Sequence, residues 1–227
     1  MAKQVQLRRG TSAQTAAFTG AAGEVTVDTD DKRLVVHDGS TAGGIPAAKK
    51  SEIIARGYHL IGHWPARALV RPTTDAADAL AQSESTTNKV NDEYLSFPNA
   101  ATKYAGFSYR APKSSDEGAT LKVEIEWKEA ASATAHVCRW QVEAQAQGDG
   151  DTIDSAWGTA VAADDTGSSG TRRFVEIEIT PGGSWAAGDK IHIRVARLGA
   201  HANDTLDVAA HLMGVTIHGT INAQDDA

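Results

Sequence analysis

The N-terminal segment of the chain has the most informative pattern, and over residues 5–50 it reads VQLRRGTSAQTAAFTGAAGEVTVDTDDKRLVVHDGSTAGGIPAAKK. Val25 and Val27 alternate with polar neighbours, and Leu34 and Val36 resume the same period-two pattern after a polar turn. Alternation on both sides of a turn is typical of a β-hairpin, so we predict one here.

A short Ala-rich segment precedes the hairpin. Thr11 and Ser12 are suited to cap a helical turn that ends by Gly20. A hairpin with one helical turn has too few apolar side chains to close a core, and segments below about 40 residues usually need a disulfide, a metal or partner chains. Because the segment has no cysteine, we predict that it is stabilised by identical partner chains.

Four motifs follow one another in this segment, namely LRRGTSAQ, AAGEVTVDTD, KRLVVHDGSTAGG and IP. In this order they resemble the N-terminal module of the phage major tropism determinant family and of many tail-fibre and head-fibre proteins. The resemblance covers about a fifth of the chain and implies an intertwined, threefold-symmetric module near the attachment end of a virion appendage. The residues expected to serve oligomerisation and attachment are Arg8, Arg9, Val25, Val27, Leu34 and Val36.

Composition narrows the function classes. A net charge of −7, with charges scattered along 227 residues, argues against a nucleic-acid-binding surface, which normally has clustered Lys and Arg. The N-terminus lacks the apolar stretch of a secretion signal, and no run of about 18 apolar residues occurs, so we expect neither export by that route nor membrane insertion. Host lysis would release a virion component without a signal.

The single cysteine, Cys138, permits no intrachain disulfide, which fits assembly in a reducing host cytoplasm. In a strand, Cys138 would share a face with Trp140 and Val142, so we expect a buried small hydrophobe rather than a reactive thiol.

Three regions are predicted along the chain. Residues 1–46 form the N-terminal trimeric attachment module, residues 47–90 a connector helix and linker, and residues 91–227 a C-terminal β-sandwich. The connector helix is expected to begin near Pro46 and to end at Gly57. The linker is rich in Ala, Thr, Ser and Asp, with one weak strand near residues 68–70.

The C-terminal region reads as an all-β fold. Residues 121–127 alternate strictly and place four large apolar side chains on one face. Further β-type runs cover residues 107–110, 136–146, 174–179, 191–198 and 206–217. Short strands separated by Gly, Pro and Asp turns predict an antiparallel sandwich or jelly roll. The expected core residues are Leu121, Ile125, Trp127, Trp140, Val142, Ile177, Ile191, Ile193, Val195, Leu212 and Ile217.

Three passages of this region, GDGDTIDSAWGTAV, ITPGGSWAAGDKIHIRVAR and DTLDVAAHLMGVTIHG, resemble a sandwich module that recurs in phage virion proteins. The resemblance implies a sandwich of virion origin.

Two groups of residues are candidate metal ligands. Asp149, Asp151 and Asp154 lie within six residues, but their spacing departs from a calcium loop of the EF-hand type, and a plain acidic loop is the favoured alternative. His59 and His63 are four residues apart and would point the same way in a helix or a strand, yet two ligands per chain are too few for a structural zinc site. We therefore expect no cofactor.

Two tryptophans are candidate ligand contacts. Trp157 and Trp185 lie in loop-like contexts, where an indole offers a flat apolar face for a sugar ring, although burial or an interface role is favoured. No hydrolase, zinc-protease or phosphate-loop motif occurs in the sequence, so we expect no enzyme activity.

Together these features predict a homotrimeric phage virion protein, a head or tail fibre or spike. Its N-terminus would dock to other virion proteins of the capsid or tail, and its sandwich would attach to a host surface glycan or protein. The alternative is a capsid decoration or tail adaptor protein that binds no receptor. Loops on a rigid frame, the usual place for recognition, favour the first.

Overall fold

The computed structural model describes residues 7–47 and 58–220, and the chain divides into two compact units between residues 55 and 56. Most of the predicted connector helix lies outside the described residues. Within the described ranges, no helix has the length and apolarity needed to cross a membrane.

Over residues 7–47, the N-terminal unit is a four-stranded sheet with one short helix. Its elements are β1 (Arg8–Gly10), α1 (Ser12–Ala17), β2 (Val25–Asp28), β3 (Arg33–Val36) and β4 (Ile45–Pro46). The strand order is β1-β2-β3-β4, with β1 parallel to β2 and the other pairs antiparallel. The predicted hairpin is therefore confirmed as β2 and β3.

Helix α1 begins with a capping box. The Thr11 backbone N–H donates to Gln14 Oε1 at 2.9 Å, and the Thr11 hydroxyl accepts from the Gln14 backbone N–H at 3.3 Å. This pair satisfies two groups that the first turn would otherwise leave unpaired. The predicted cap at Thr11 is confirmed, and the helix ends at Ala17.

A polar cluster lies on the covered side of this sheet. Thr26, Asp28, Val35 and His37 are buried there. The His37 ring accepts at Nδ1 from the Gly20 backbone N–H at 3.2 Å, so Nε2 carries the proton and donates to Thr26 Oγ1 at 3.0 Å. The hydroxyl of Ser12 donates to the Asp28 carboxylate at 2.9 Å. Hydrogen bonds thus hold this side together where apolar contacts are few.

Residues 58–220, the described part of the second unit, contain ten strands and one 3-10 turn at Ala66–Ala68. The strands are β5 (Tyr58–Pro65), β6 (Ala81–Glu84), β7 (Asn91–Phe97), β8 (Thr102–Arg110), β9 (Leu121–Glu129), β10 (Val137–Gln147), β11 (Val161–Thr166), β12 (Arg173–Ile179), β13 (Lys190–Leu198) and β14 (Ala210–Thr220). One sheet has the order β11-β10-β13-β8, and the other has the order β12-β9-β14-β7-β6, with β5 also paired to β14. All named strand pairs of this unit are antiparallel, which confirms the predicted β-sandwich.

The core of the sandwich draws its side chains from both sheets. Trp127 of one sheet and Trp140 of the other meet edge to face with ring centroids 6.1 Å apart. Trp127 is fully enclosed, and its indole N–H donates to Asp165 at 2.8 Å. Every predicted core residue is buried, because strict alternation on two packed sheets sends one set of side chains inward.

The sandwich begins earlier in the chain than predicted. Strand β5 pairs with β14 over residues 58–65, and β6 pairs with β7. The predicted start at residue 91 is therefore too late, and much of the expected linker belongs to the sheets. The weak strand expected at residues 68–70 is a turn followed by one bridge, in which Val70 pairs with Gly106.

A buried ion pair organises the loop between β13 and β14. Arg197 and Asp204 have no exposed side-chain surface, and Arg197 Nη2 lies 2.7 Å from Asp204 Oδ1. The same guanidinium donates to the backbone carbonyls of Phe97, Leu206 and Val208. Because every donor group is used, the charge is compensated inside the core.

Cys138 is buried, as predicted, on the inner face of β10. Burial raises the pKa of its thiol well above the ordinary value. The thiol is therefore kept protonated and unreactive.

Candidate functional site

The outer side of the N-terminal sheet is an apolar face. Val25 pairs with Val36, Val27 with Leu34, and Val36 in turn with Ile45. Directly paired residues share one side of a sheet, so all five lie together. Leu34 is 47% exposed and Ile45 is 60% exposed. We call this surface the apolar face.

The two N-terminal arginines lie on opposite sides of that sheet. Arg9 pairs with Val27 and so extends the apolar face, whereas Arg8 pairs with Thr26 of the covered side. The Arg8 guanidinium lies 4.5 Å from the centre of the Phe18 ring and 3.3 Å from Glu24. Of the two, Arg9 is therefore the one positioned beside the exposed valines and Leu34.

The sandwich has a second exposed feature, which we call the aromatic groove. It encloses about 300 Å³ on the outer side of strands β8 and β13. Its lining comprises Val70, Pro72, Ala105, Gly106, Phe107, Ser108, Trp157, His192, Ile193 and Arg194. This volume is at the lower end of the roughly 300–1,000 Å³ typical of ligand pockets.

Gly106 forms the floor of the groove. It pairs with Arg194 on one side and bridges to Val70 on the other, so three chain segments meet at one level of the sheet. Without a side chain at Gly106, the space between Val70 and Arg194 stays open. An added Cβ would lie 2.6 Å from the Ile193 carbonyl oxygen, so larger residues are disfavoured there.

Arg194 is held between two aromatic rings. Its guanidinium carbon lies 4.7 Å from the centre of the Tyr104 ring and 4.6 Å from that of Trp157. Its Nε and Nη2 donate to Glu143 Oε1 at 2.9 and 2.7 Å. Stacking and ion pairing together fix the guanidinium and balance its charge.

The loop that carries Trp157 is fixed by backbone contacts. The Gly158 N–H donates to the Ala144 carbonyl at 2.8 Å, and Gly182 donates to the same oxygen at 2.9 Å. A Cβ on Gly158 would lie 2.6 Å from the Gly182 nitrogen, so only glycine permits this approach. The Gln145 amide, from β10, also donates to Ser155 Oγ at 2.7 Å.

His192 contributes a ring to the groove. Its Nε2 lies 3.1 Å from Gln147 Oε1, an oxygen that accepts, so the neutral ring donates there and leaves Nδ1 as an acceptor. Partial burial, together with the nearby Lys190, lowers the pKa of His192. The ring is therefore neutral at pH 7.

The two predicted ligand-contact tryptophans have different environments. Trp157 is half-buried and lines the aromatic groove. Trp185 is only 7% exposed and belongs to the hydrophobic core, so it offers no face to a ligand. Trp185 is therefore excluded as a ligand contact, and the favoured alternative, burial, is the one that the structure shows.

The predicted metal ligands are not brought together. Among the described residues, no group of three or more His, Cys, Asp or Glu side chains is arranged to hold a metal ion. In the acidic loop, Asp151 instead accepts from the Gly148 backbone N–H at 2.7 Å. Asp149, Asp151 and Asp154 therefore do not form a metal-binding group in the described residues.

His59 and His63 lie on opposite faces of β5. His63 pairs with Thr216, whereas His59 pairs with Gly219, three residues further along β14. An irregularity between Ile217 and His218 shifts the register by one residue and so reverses the faces. The prediction that both would point the same way is wrong, and no single site takes both.

Sequence reasoning missed Gly106, Arg194 and Val70 as groove residues. They come from segments far apart in the chain and meet through strand pairing. One signal was present in the sequence, since His192 and Arg194 alternate with buried Ile191, Ile193 and Val195 and must therefore face outward.

Comparisons with known proteins bear on the N-terminal unit. Residues 5–41 match the family model of the major tropism determinant N-terminal domain. The predicted resemblance of this module is therefore confirmed. A stretch of 49 residues is 63% identical to the tail fiber receptor-binding protein of Bordetella phage BPP-1 and covers 22% of this chain. The match spans 13% of the phage protein, so the chain is related to it through one module.

Solved structures give looser matches. The major tropism determinant P3c variant aligns with 53% of this chain and 29% of its own, at 30% identity and a TM-score of 0.22. A family 35 carbohydrate binding module from Clostridium thermocellum aligns with 69% of this chain and 98% of its own, at 13% identity and a TM-score of 0.42. TM-scores this low say nothing about ligand or function.

Proposed function

We propose that the chain is a phage virion protein that forms a homotrimeric surface appendage. Its N-terminal unit would dock to other virion proteins of the head or tail, and its sandwich would attach to the host surface. The observation that carries this proposal is the apolar face, in a module that matches the N-terminus of a tail fibre receptor-binding protein.

The apolar face supports association with identical chains. Five apolar side chains cluster on one side of a small sheet, while the opposite side is already covered by α1 and by hydrogen bonds. Leaving such a cluster in water forgoes about 25 cal/mol for each Å² of apolar surface. Identical faces from three chains would bury one another around a common axis, as the resemblance implies.

The sandwich supports a recognition role. Its core is built from one chain, and the aromatic groove is a preformed concavity on the outer side of β8 and β13. Three such grooves on one particle would act together through a high effective concentration, so each needs only weak affinity.

Two measurements test this proposal. Sedimentation of the full chain should give a trimer at micromolar concentration, and labelled chain should bind cells that the phage infects and reduce infection by competition. A stable monomer would contradict the trimer. A trimer that decorates the virion in antibody-labelled images, yet binds no host cells, would instead indicate a capsid decoration or tail adaptor protein.

A further inference from the structure

We propose that the aromatic groove binds an uncharged sugar residue of a bacterial surface glycan. This inference rests on the proposed function, since it names the ligand chemistry of the attachment surface. It assigns the contacts to Val70 and Arg194, which strand pairing brings to one level of the sheet through Gly106, and to Trp157, which stacks on Arg194.

The shape and lining of the groove suit a sugar ring. A pyranose has an apolar C–H face and a rim of hydroxyl groups, so it stacks on an indole or phenol ring while its rim stays hydrogen-bonded. Trp157 provides an aromatic part of the lining, and Val70, which is 68% exposed, and Pro72 provide apolar parts. Gly106 leaves the floor between them clear.

The charge balance of the groove selects an uncharged ligand. Glu143 already neutralises Arg194 through two hydrogen bonds to a single carboxylate oxygen, so the groove offers no net positive charge to an acidic sugar. In the described residues Arg194 Nη1 makes no hydrogen bond, and it remains as a fixed donor. An anionic sugar at Nη1 would lie close to the Glu143 carboxylate with no net positive charge to compensate it, whereas a neutral hydroxyl oxygen accepts from Nη1 without that repulsion.

Polar groups for the hydroxyl rim are present on the same floor. The exposed hydroxyl of Ser108 both donates and accepts, and it lies opposite His192 in the strand register. The neutral His192 ring accepts at Nδ1, because its Nε2 is used by Gln147. Together with Arg194 Nη1, these groups offer the mix of donors and acceptors that vicinal hydroxyls require.

The groove is also organised before any ligand arrives. The Gly158 and Gly182 contacts fix the Trp157 loop, and stacking with Glu143 pairing fixes Arg194. Little conformational entropy then remains to be lost on binding, which favours affinity in a small site.

Four forms of the full chain provide the test: the unsubstituted chain, Trp157→Ala, Val70→Arg and Phe174→Ala. Phe174 is a matched control, since it is an aromatic side chain 54% exposed on β12 of the opposite sheet. Val70→Arg fills the groove from an exposed position, so it keeps the test valid if Trp157→Ala fails to fold.

Cell binding gives the first readout. We expect Trp157→Ala and Val70→Arg to weaken binding to host cells at least tenfold, which corresponds to about 1.4 kcal/mol, and Phe174→Ala to bind like the unsubstituted chain. Periodate oxidation of the cells should abolish binding, and protease treatment should not. Loss of binding after protease alone, or equal binding by all four forms, would overturn the proposal.

Direct titration gives a readout that does not depend on cell binding. Methyl glycosides of glucose, galactose, mannose and N-acetylglucosamine, with glucuronic acid as the acidic arm, are titrated while the tryptophan indole N–H signals are followed by NMR. We expect a neutral glycoside to shift the signal that Trp157→Ala removes. The groove assignment would be overturned if only glucuronic acid shifted this signal, or if none of the glycosides did. A shift with a neutral glycoside, together with no binding to host cells, would contradict only the proposed function.

Discussion

The two units of this protein use the same alternating strand pattern with opposite outcomes. In the sandwich, the apolar side of each sheet meets the other sheet, and alternate charged residues of β9 and β12, such as Lys122, Glu124, Glu176 and Glu178, face outward. In the N-terminal unit, α1 and the hydrogen-bonded polar cluster cover the other side, and Val25, Leu34 and their neighbours face outward. Alternation therefore shows which side chains share a face, while the covering segment decides which face is buried.

This contrast also separates two sources of stability. The hydrophobic core of the sandwich is built from one chain, whereas the N-terminal unit leaves the side chains of its apolar face exposed. Changes inside the sandwich should reduce the stability of each chain, and changes on the apolar face should reduce association between chains.

The largest effect is expected from Arg197→Ala. It would leave the Asp204 carboxylate and three backbone carbonyls buried without their partner, at a cost of about 3–5 kcal/mol in the free energy of unfolding. Urea denaturation followed by tryptophan fluorescence measures it. Arg172→Ala is the control, because Arg172 pairs with Asp92 and Glu126 at the surface and should cost less than about 1 kcal/mol. Similar losses in both variants would show that the buried pair has no special role.

A smaller effect, on association alone, is expected from Leu34→Asp. Losing burial of this side chain in a trimer should weaken assembly by about 1.5–3 kcal/mol per chain, and the introduced charge opposes burial further. Sedimentation should show dissociation while the sandwich keeps its unfolding midpoint. Ala13→Asp, at an exposed position of α1, should leave the trimer intact. If the Leu34→Asp chain sediments like the unsubstituted one, the apolar face is not the interface.

The smallest effect concerns pH. Burial, with a further contribution from Lys128, lowers the pKa of His211 to about 4, and its ring stacks on Tyr94 at 3.6 Å. The pKa of His211 is lower in the folded chain than in the unfolded chain. The stability that the neutral ring provides is therefore fully present above pH 6.5 and is lost as the pH falls toward 4. We expect this loss to be on the order of 1 kcal/mol, since solvent reaches part of the ring.

Unfolding midpoints at pH 7 and pH 4.5 measure this loss. His211→Gln should reduce the difference between the two midpoints. His192→Gln should reduce this difference less, because His192 is less buried than His211 and burial is the main cause of its lowered pKa. An unchanged difference in His211→Gln would mean that other groups set the acid sensitivity of the sandwich.

Much of this architecture could be predicted from the sequence. The run at residues 121–127 alternates without interruption, and the structure buries Leu121, Val123, Ile125 and Trp127. The hairpin and the Thr11 cap were also predictable, because they depend on residues close in the chain.

The features that the sequence did not predict depend on pairing between segments that are distant in the chain. Strand β5 was missed because its register irregularity breaks the alternation, and β6 because its four residues contain no large apolar side chain. Of the groove, only Trp157 was predicted, since Val70, Gly106 and Arg194 become neighbours only when β8 pairs on both of its edges.

The pairing of Tyr58 with Thr220 has an evolutionary consequence. The first and last described residues of the sandwich therefore lie side by side. Domains whose ends lie close together tolerate insertion into another chain. Under the proposed function, recombination at the two flanks of this unit would exchange the attachment surface and leave the N-terminal unit unchanged.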